Sequence, residues 1–445
     1  MKPTSRKAGA GLRRPSTSTL AIVGLTALGA CGFAVVQPAA ATNVTNVSMW
    51  EQDTGTAATG LTTLVNSFNA THPNYHVTAN YIATVGTSET AFTSKLAESL
   101  KANVGPALVV SDSEADYIPE LLSTGDVVNL GPFMNAKSGG LPASSFYPGM
   151  LKAGIINGSV YSLPWDGGDY AVVYNKKLFA QAGISSTPST WSQLTADAQK
   201  LTKGGVYGFY VPIGSTEWTV WTWEAMLWSE GGQLLNSNNT KVEFNSPQGV
   251  AALDVWLNLL QKHLAYPSDL ANSTESQGYP GFQDGKVAMY LDGSYDLPTD
   301  DQALGAQNVG VFAFPATQTH AMNTGTNMDF ILKGSTAQEE GAWAFIQYCM
   351  QPKNQAAYDI TTGYLPTIKA TGSTPAYQAL LKKDPRFGVF LDELSYSHTR
   401  PSIPAYEAVS TALGNELYSA FLGKVSAAQA LKTAAAQATA ALASS

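Results

Sequence analysis

The chain has 445 residues, a formal net charge of −8, and only 13% charged against 10% aromatic residues. An acidic balance with no basic stripe excludes nucleic acid as a natural partner and disfavours a polyanionic ligand. Two cysteines exclude an internal disulfide framework once the first is acylated or removed, and no stretch beyond the N-terminus is long and apolar enough to cross a membrane.

Lys2, Arg6, Lys7, Arg13 and Arg14 stand without an acid ahead of an apolar run from Leu20 to Ala30. That is the basic and short apolar pattern of a secretory signal. Arg13-Arg14 is followed by Pro15 and polar residues, a poor fit to twin-arginine export. Leu28-Gly29-Ala30-Cys31 resembles a bacterial lipobox. On that reading residues 1–30 are removed, Cys31 is lipidated and residues 31–43 tether the body to the outer face of the cell membrane. Soluble secretion after cleavage at Ala39-Ala40-Ala41 is the alternative.

Strand-like and helical segments then alternate, which predicts an α/β fold. Asn46 to Trp50 reads as a strand, and Leu61, Leu64, Val65 and Phe68 have helical spacing stopped by His72-Pro73. Val77 to Tyr81 is a second strand, Phe92, Leu96 and Leu100 mark a helix, and Ala107 to Val110 a third strand. Parallel pairing with right-handed crossovers is expected. Val160 to Leu163 is a short β-like run that ends in a polar loop at Pro164-Trp165-Asp166. Thr190 to Gln193 and Ser335 to Gln338 read as capping boxes, and Ser246-Pro247 as an N-cap with proline at the first helical position. Cys349 lies on an apolar helix as a small core residue. The Ala-rich segment from Ser426 to Leu442 reads as a helix packed on the surface.

The order G-x-x-Y-x-L-P-W and V-V-Y-N-K-K-L-F within Gly158 to Phe179 resembles the signature region of family 1 extracellular solute-binding proteins. Phe68-Asn69 to Val77, Gly231-Gly232 with Phe244 to Pro247, Phe282 to Met289 with Gly293 to Tyr295, and Thr362 to Pro366 carry the resemblance along the chain. It implies a two-lobed, periplasmic-binding-protein-like fold of type II whose chain passes three times between the lobes. Carried over, the passages fall near Gly168 to Val172, Val309 to Pro315 and Tyr364 to Pro366. The first lobe is then residues 44–169 plus 314–363 and the second 170–313 plus 364–445. The implied activity is that of the exported, monomeric receptor of an ABC importer, delivering a carbohydrate to membrane permeases, with no cofactor and no catalysis.

Sugars present C–H faces to aromatic rings and hydroxyls to carboxylates, amides and Arg, so aromatics beside acids in polar segments are the candidates. Trp165 with Asp166 and Asp169 leads. Trp50-Glu51 ends the first strand, and Asp112 and Glu114 follow the third, where open α/β sheets bind ligands. Trp221 or Trp223 forms one wall. Trp218 is placed in the polar loop before their helix, and Trp191, Trp256 and Trp343 in cores. Asp292, Gly293 and Tyr295 follow the strand Val287 to Leu291, and Asn327 and Asp329 lie in a polar turn before the strand Phe330 to Leu332. Tyr364 sits at the third passage, and Arg400 could fork onto a phosphate or several hydroxyls. Two other readings stand beside the sugar receptor. A receptor for glycerol-3-phosphate or a glycerophosphodiester would use Tyr364 and Arg400. A secreted glycoside hydrolase would use Asp166 and Asp169 as its carboxylate pair. No metal site is expected, since Pro73 separates His72 from His76 and breaks any helical metal face.

Overall fold

A computed structural model describes residues 44–83, 90–111, 117–135, 140–267 and 278–444. Cys31, Asp112 and Glu114 lie outside the described residues. Twelve strands are present among them: β1 (Thr45–Glu51), β2 (Tyr75–Tyr81), β3 (Leu108–Ser111), β4 (Ile155–Ile156), β5 (Ser159–Val160), β6 (Leu163–Gly168), β7 (Ala171–Asn175), β8 (Met289–Asp292), β9 (Val309–Phe312), β10 (Met322–Asn323), β11 (Gly325–Ile331) and β12 (Ser397–His398).

The first large sheet has the order β2-β1-β3-β11-β6. β1 pairs in parallel with β2 and β3, as the alternating pattern predicts, while β11 runs antiparallel to β3 and β6. β3 is buried along its length because both faces are covered. Leu108 and Val110 enter one apolar cluster with Met49, Phe68 and Phe345, and Val109 enters another with Phe92, Leu96 and Phe330. The second sheet, β8-β7-β9, is antiparallel and divides its side chains the same way. Val172, Met289, Leu291 and Phe312 face the large core of the second lobe, and Val173, Tyr290 and Val309 face the other side.

Three local expectations change. Pro164-Trp165-Asp166 is not a loop but part of β6. β6 is the edge strand of this sheet, with β11 as its strand neighbour, so the missing proline N–H costs no central ladder bond. The register slips between Asn327 and Met328, which leaves Trp165 as the extra residue of a bulge. Gly325 to Asp329 is likewise strand, the first five residues of β11, because it is sandwiched between β3 and β6. Trp218 lies in the first turn of the helix Glu217–Ser229, which is buried along nearly all its length and so carries no amphipathic signal.

The helix ends follow their chemistry. Ser335 and Gln338 form the reciprocal box, and Ser246 Oγ accepts the Gly249 N–H ahead of Pro247. At Thr190 the box is displaced by one residue: Gln193 Oε1 accepts from Ser189 rather than from Thr190. Helix Ala427–Ser444 buries Ala427, Ala430, Leu431, Ala434 and Ala438, the small-residue stripe that lets it lie against helices Tyr406–Phe421 and Pro247–Gln261. Cys349 is buried in its helix, and burial pushes its thiol well above the ordinary range.

The passages between sheets converge. β6 ends at Gly168 in the first sheet and β7 begins at Ala171 in the second. β9 pairs with β7, so residues 309–312 belong to the second sheet; the chain returns to the first at Gly325, which opposes Gly168. The second passage therefore comes later than the 309–315 expected, because β10 first pairs with β12. In the third, Leu365 exchanges both backbone hydrogen bonds with Gly167, at 2.9 and 2.7 Å. Gly363 caps the helix Pro352–Thr362 with φ of +84°, and a Cβ there would stand 2.9 Å from Tyr295 Cα, so only glycine fits.

Candidate functional site

The ends of the parallel strands supply one wall. Glu51 closes β1 and is followed by Gln52 and Asp53, and Ser111 closes β3. Glu51 Oε2 accepts the Asp53 N–H at 2.8 Å, and Ser111 Oγ donates to Gln52 Oε1 at 3.2 Å. Burial raises the Glu51 carboxyl above its ordinary value. Trp50 turns the other way: it packs edge-on to Phe92, with the Lys95 ammonium 5.6 Å from its ring centroid. Its half-buried ring packs against the apolar cluster that holds Phe92 and Leu96.

Trp165 also departs from expectation. It is 3% exposed, stacked on Phe345 at 6.2 Å and edge-on to Tyr358 at 5.6 Å, inside the first lobe's core. The bulge that pulls Pro164-Trp165 into β6 is the reason. Its neighbour Asp166 is buried and accepts from Asn327 Nδ2 at 3.2 Å and from the Tyr358 hydroxyl at 3.1 Å. Asp166, Asn327 and Tyr358 thus form one polar unit, and the field of Asp53 and Tyr364 reaches Tyr358 as well. Asp329 is wholly buried in β11, where burial lifts its carboxyl well above the usual range.

At the hinge Tyr295 lies over Gly168, where a Cβ would stand 3.8 Å from its ring. Tyr295 and Tyr364 meet at 5.4 Å between centroids, and Ser294 Oγ donates to the Gly363 carbonyl at 2.6 Å. Gly293 is required by Tyr295 itself, since a Cβ there would fall 2.2 Å from that ring. Asp292 is fully buried and already accepts from Tyr279 at 3.2 Å, from Tyr290 and from the Gly293 N–H at 2.8 Å. It organises the turn that presents Tyr295 and is not exposed to a ligand.

The second lobe's wall is aromatic. Tyr170, two residues past Gly168, donates its hydroxyl to the carbonyls of Trp221 and Thr222, each at 3.3 Å. Its ring meets Trp221 at 4.7 Å and Trp218 at 5.7 Å, and the two indoles lie 5.1 Å apart. Trp221 is nearly buried, and Trp218 is partly exposed beside it. Trp223 points into the core edge-on to Phe244 and is fully buried, whereas Trp221 borders the partly exposed Trp218. Gln52, Asp53, Ser111, Tyr170, Trp218 and Tyr358 were not among the predicted site residues. Gln52 and Asp53 were findable as direct neighbours of Glu51; Tyr358, nearly 200 residues from Asp166, was not.

Arg400 is 6% exposed and donates to Glu217 Oε1 at 2.5 Å. Glu217 also accepts from Tyr406 at 2.8 Å and from Ser410, while Glu224 accepts from Asn323 Nδ2 at 2.7 Å and Tyr406 at 3.2 Å. The guanidinium is therefore ion-paired to Glu217 within a polar network at the base of the tryptophan helix. It also borders a groove of about 770 Å³ with Trp228, His398 and Pro401.

Residues 52–356 match the family described as bacterial extracellular solute-binding protein. The chain belongs to that family. A putative binding protein of Brucella abortus (strain 2308) is 27% identical over 329 residues, which are 73% of this chain and 77% of that protein. The sn-glycerol-3-phosphate-binding periplasmic protein UgpB of Escherichia coli O1:K1 / APEC is 24% identical over 437 residues, 91% and 94% of the two chains. In fold, the cyclic alpha-maltosyl-1,6-maltose binding protein from Arthrobacter globiformis superposes with a TM-score of 0.80 at 23% identity, covering 90% of this chain and 100% of that one. The two-lobed architecture follows from that likeness.

Proposed function

We propose that this member of the family is the exported receptor of an ABC importer that captures a neutral mono- or oligosaccharide between its lobes and delivers it unaltered to membrane permeases. The observation that carries the reading is the Trp218–Trp221 pair held by Tyr170 just beyond the hinge, with Tyr295 and Tyr364 at the hinge itself. Indole and phenol rings suit the C–H faces of a sugar, and Asp53, Gln52 and Asn327 are polar groups of the type that hydroxyls need. Closure removes water and strengthens those polar contacts. The lobes divide at Gly167–Gly168, Thr324–Gly325 and Gly363–Leu365. Attachment through a lipid on Cys31 belongs to the same reading.

The glycerophosphate alternative has a relative in its favour, but Arg400 favours the neutral ligand. Its charge already faces Glu217, and displacing that partner by a phosphate would leave a carboxylate without its counter-charge. The hydrolase alternative fares worse. Asp166 and Asp169 are each 1% exposed, and Asp166 is engaged by Asn327 and Tyr358. A thermal-shift panel of neutral saccharides, polyols, glycerol-3-phosphate and glycerophosphocholine tests the reading, because a ligand of the native state raises Tm by mass action. A shift with a neutral saccharide supports it; a shift confined to the phosphates overturns it.

A further inference from the structure

The hinge buries acids that ligand binding does not use. Asp169 follows Gly168 directly and is almost wholly buried, and Asp359, on the helix Pro352–Thr362, is wholly buried. Among the described residues no side-chain donor reaches either carboxylate oxygen of Asp169 or of Asp359, the Asp169 carboxylate is met by its own backbone N–H, and the Tyr377 hydroxyl is unpartnered. Tyr377, on the helix Pro375–Lys383, feels the field of both carboxylates. Glu393, the last residue of the helix Arg386–Glu393, is buried too and acts on Asp169. The remaining groups that act on the cluster are of the same kind: Asp166 on Asp359, Tyr147 on Tyr377, Asp392 on Glu393, and Tyr170 beside Asp169. The Phe314 N–H favours a charged Glu393. Among the described residues none of the three acids is ion-paired to a Lys, Arg or His.

Buried carboxylates without counter-charge in an apolar interior favour their protonated forms. Their placement ties those protons to the hinge. Asp169 sits at the first passage, Asp359 just before the third, and Tyr377 and Glu393 after it. Rotation about Gly167–Gly168 and Gly363 therefore changes the distances within the cluster. We propose that Asp169, Asp359 and Glu393 form a proton-operated element of the hinge: protonated, they hold the described arrangement, and deprotonated they drive the lobes to a second arrangement in which they separate and take up water. Burial pushes Glu393 up to about 7 and lifts Asp169 and Asp359 well above the carboxylate range. The element rests on the two-lobed fold and not on the ligand's identity.

The test uses the ligand-free chain with spin labels on Ala70→Cys and Gln261→Cys, exposed positions on helices of the two lobes. Cys31→Ser removes the other thiol, and Cys349 is buried. Distances are measured by pulsed electron resonance at pH 5.5 and 8.5. One population is expected at pH 5.5 and a second at pH 8.5; a one-unit pKa difference for one group between arrangements changes their ratio about tenfold. The double variant Asp169→Asn, Glu393→Gln should show the same distribution at both pH values. Identical distributions in the parent, or an undiminished response in the double variant, overturns the proposal. Should the double variant fail to fold, Glu393→Gln alone is measured, and a full response in it overturns the proposal equally.

Discussion

Trp165 and Trp218 have nearly the same chemistry and opposite placements, and the two separate stability from binding. Trp165 is enclosed by Phe345 and Tyr358, so Trp165→Ala empties a core position and should cost about 3–5 kcal/mol. Chemical denaturation reads that loss. Trp218 is partly exposed against Trp221 and Tyr170. Trp218→Ala should leave the denaturation midpoint within a small margin and weaken saccharide affinity about tenfold, the worth of one aromatic contact. Titration calorimetry checks it, and an unchanged affinity would place the ligand elsewhere. Arg400→Ala leaves Glu217 without its guanidinium, so the expected result is a lower Tm in the absence of any ligand.

Helix and strand elements were legible wherever the local pattern was strong. The period-2 run around Val47 and Met49, the spacing of Leu61 to Phe68, and the Ser335 and Ser246 caps all appear in the structure. Ser335→Ala should destabilise by about 1 kcal/mol, measurable in urea, because it removes one partner of a reciprocal box. Legibility failed where partners far along the chain decide the outcome. Pro164-Trp165 and Gly325 to Asp329 read as polar loops because their strand character comes from pairing β6 with β11, about 160 residues apart. The tryptophan helix gave no face to read, since it is buried nearly all round and Trp218 starts it rather than preceding it. For the candidate site, acids and rings were legible as residue types, but which ring lies beside Gly168 depends on one bulge and on the turn that Asp292 holds. Gly363→Ala tests the hinge at this scale. It forces a side chain to φ of +84° beside Tyr295, and the expected result is a destabilisation of more than about 1 kcal/mol in denaturant.

The whole molecule couples two sheets through three backbone passages that touch one another at Gly167, Gly168, Gly325 and Leu365. That junction joins the two sheets, so ionisation of the buried acids beside it should bear on global stability. Glu393 has a native value of about 7 against an ordinary 4.5. The native chain holds a proton that the unfolded chain releases, so its contribution is complete below about 4.5, falls as pH rises, and is lost above about 7. Calorimetric Tm should therefore fall across that window, and Glu393→Gln should flatten the fall. The function proposed for the whole molecule is capture of an unmodified neutral sugar by closure of the lobes. Titration calorimetry with a series of neutral mono- and oligosaccharides and with glycerol-3-phosphate, followed by chromatography of the recovered sugar, tests it most directly. Saturable one-to-one binding of at least one neutral saccharide, recovered intact, is expected, with little or no heat from the phosphate; binding of the phosphate alone, or recovery of cleaved sugar, would rule out a neutral-sugar receptor.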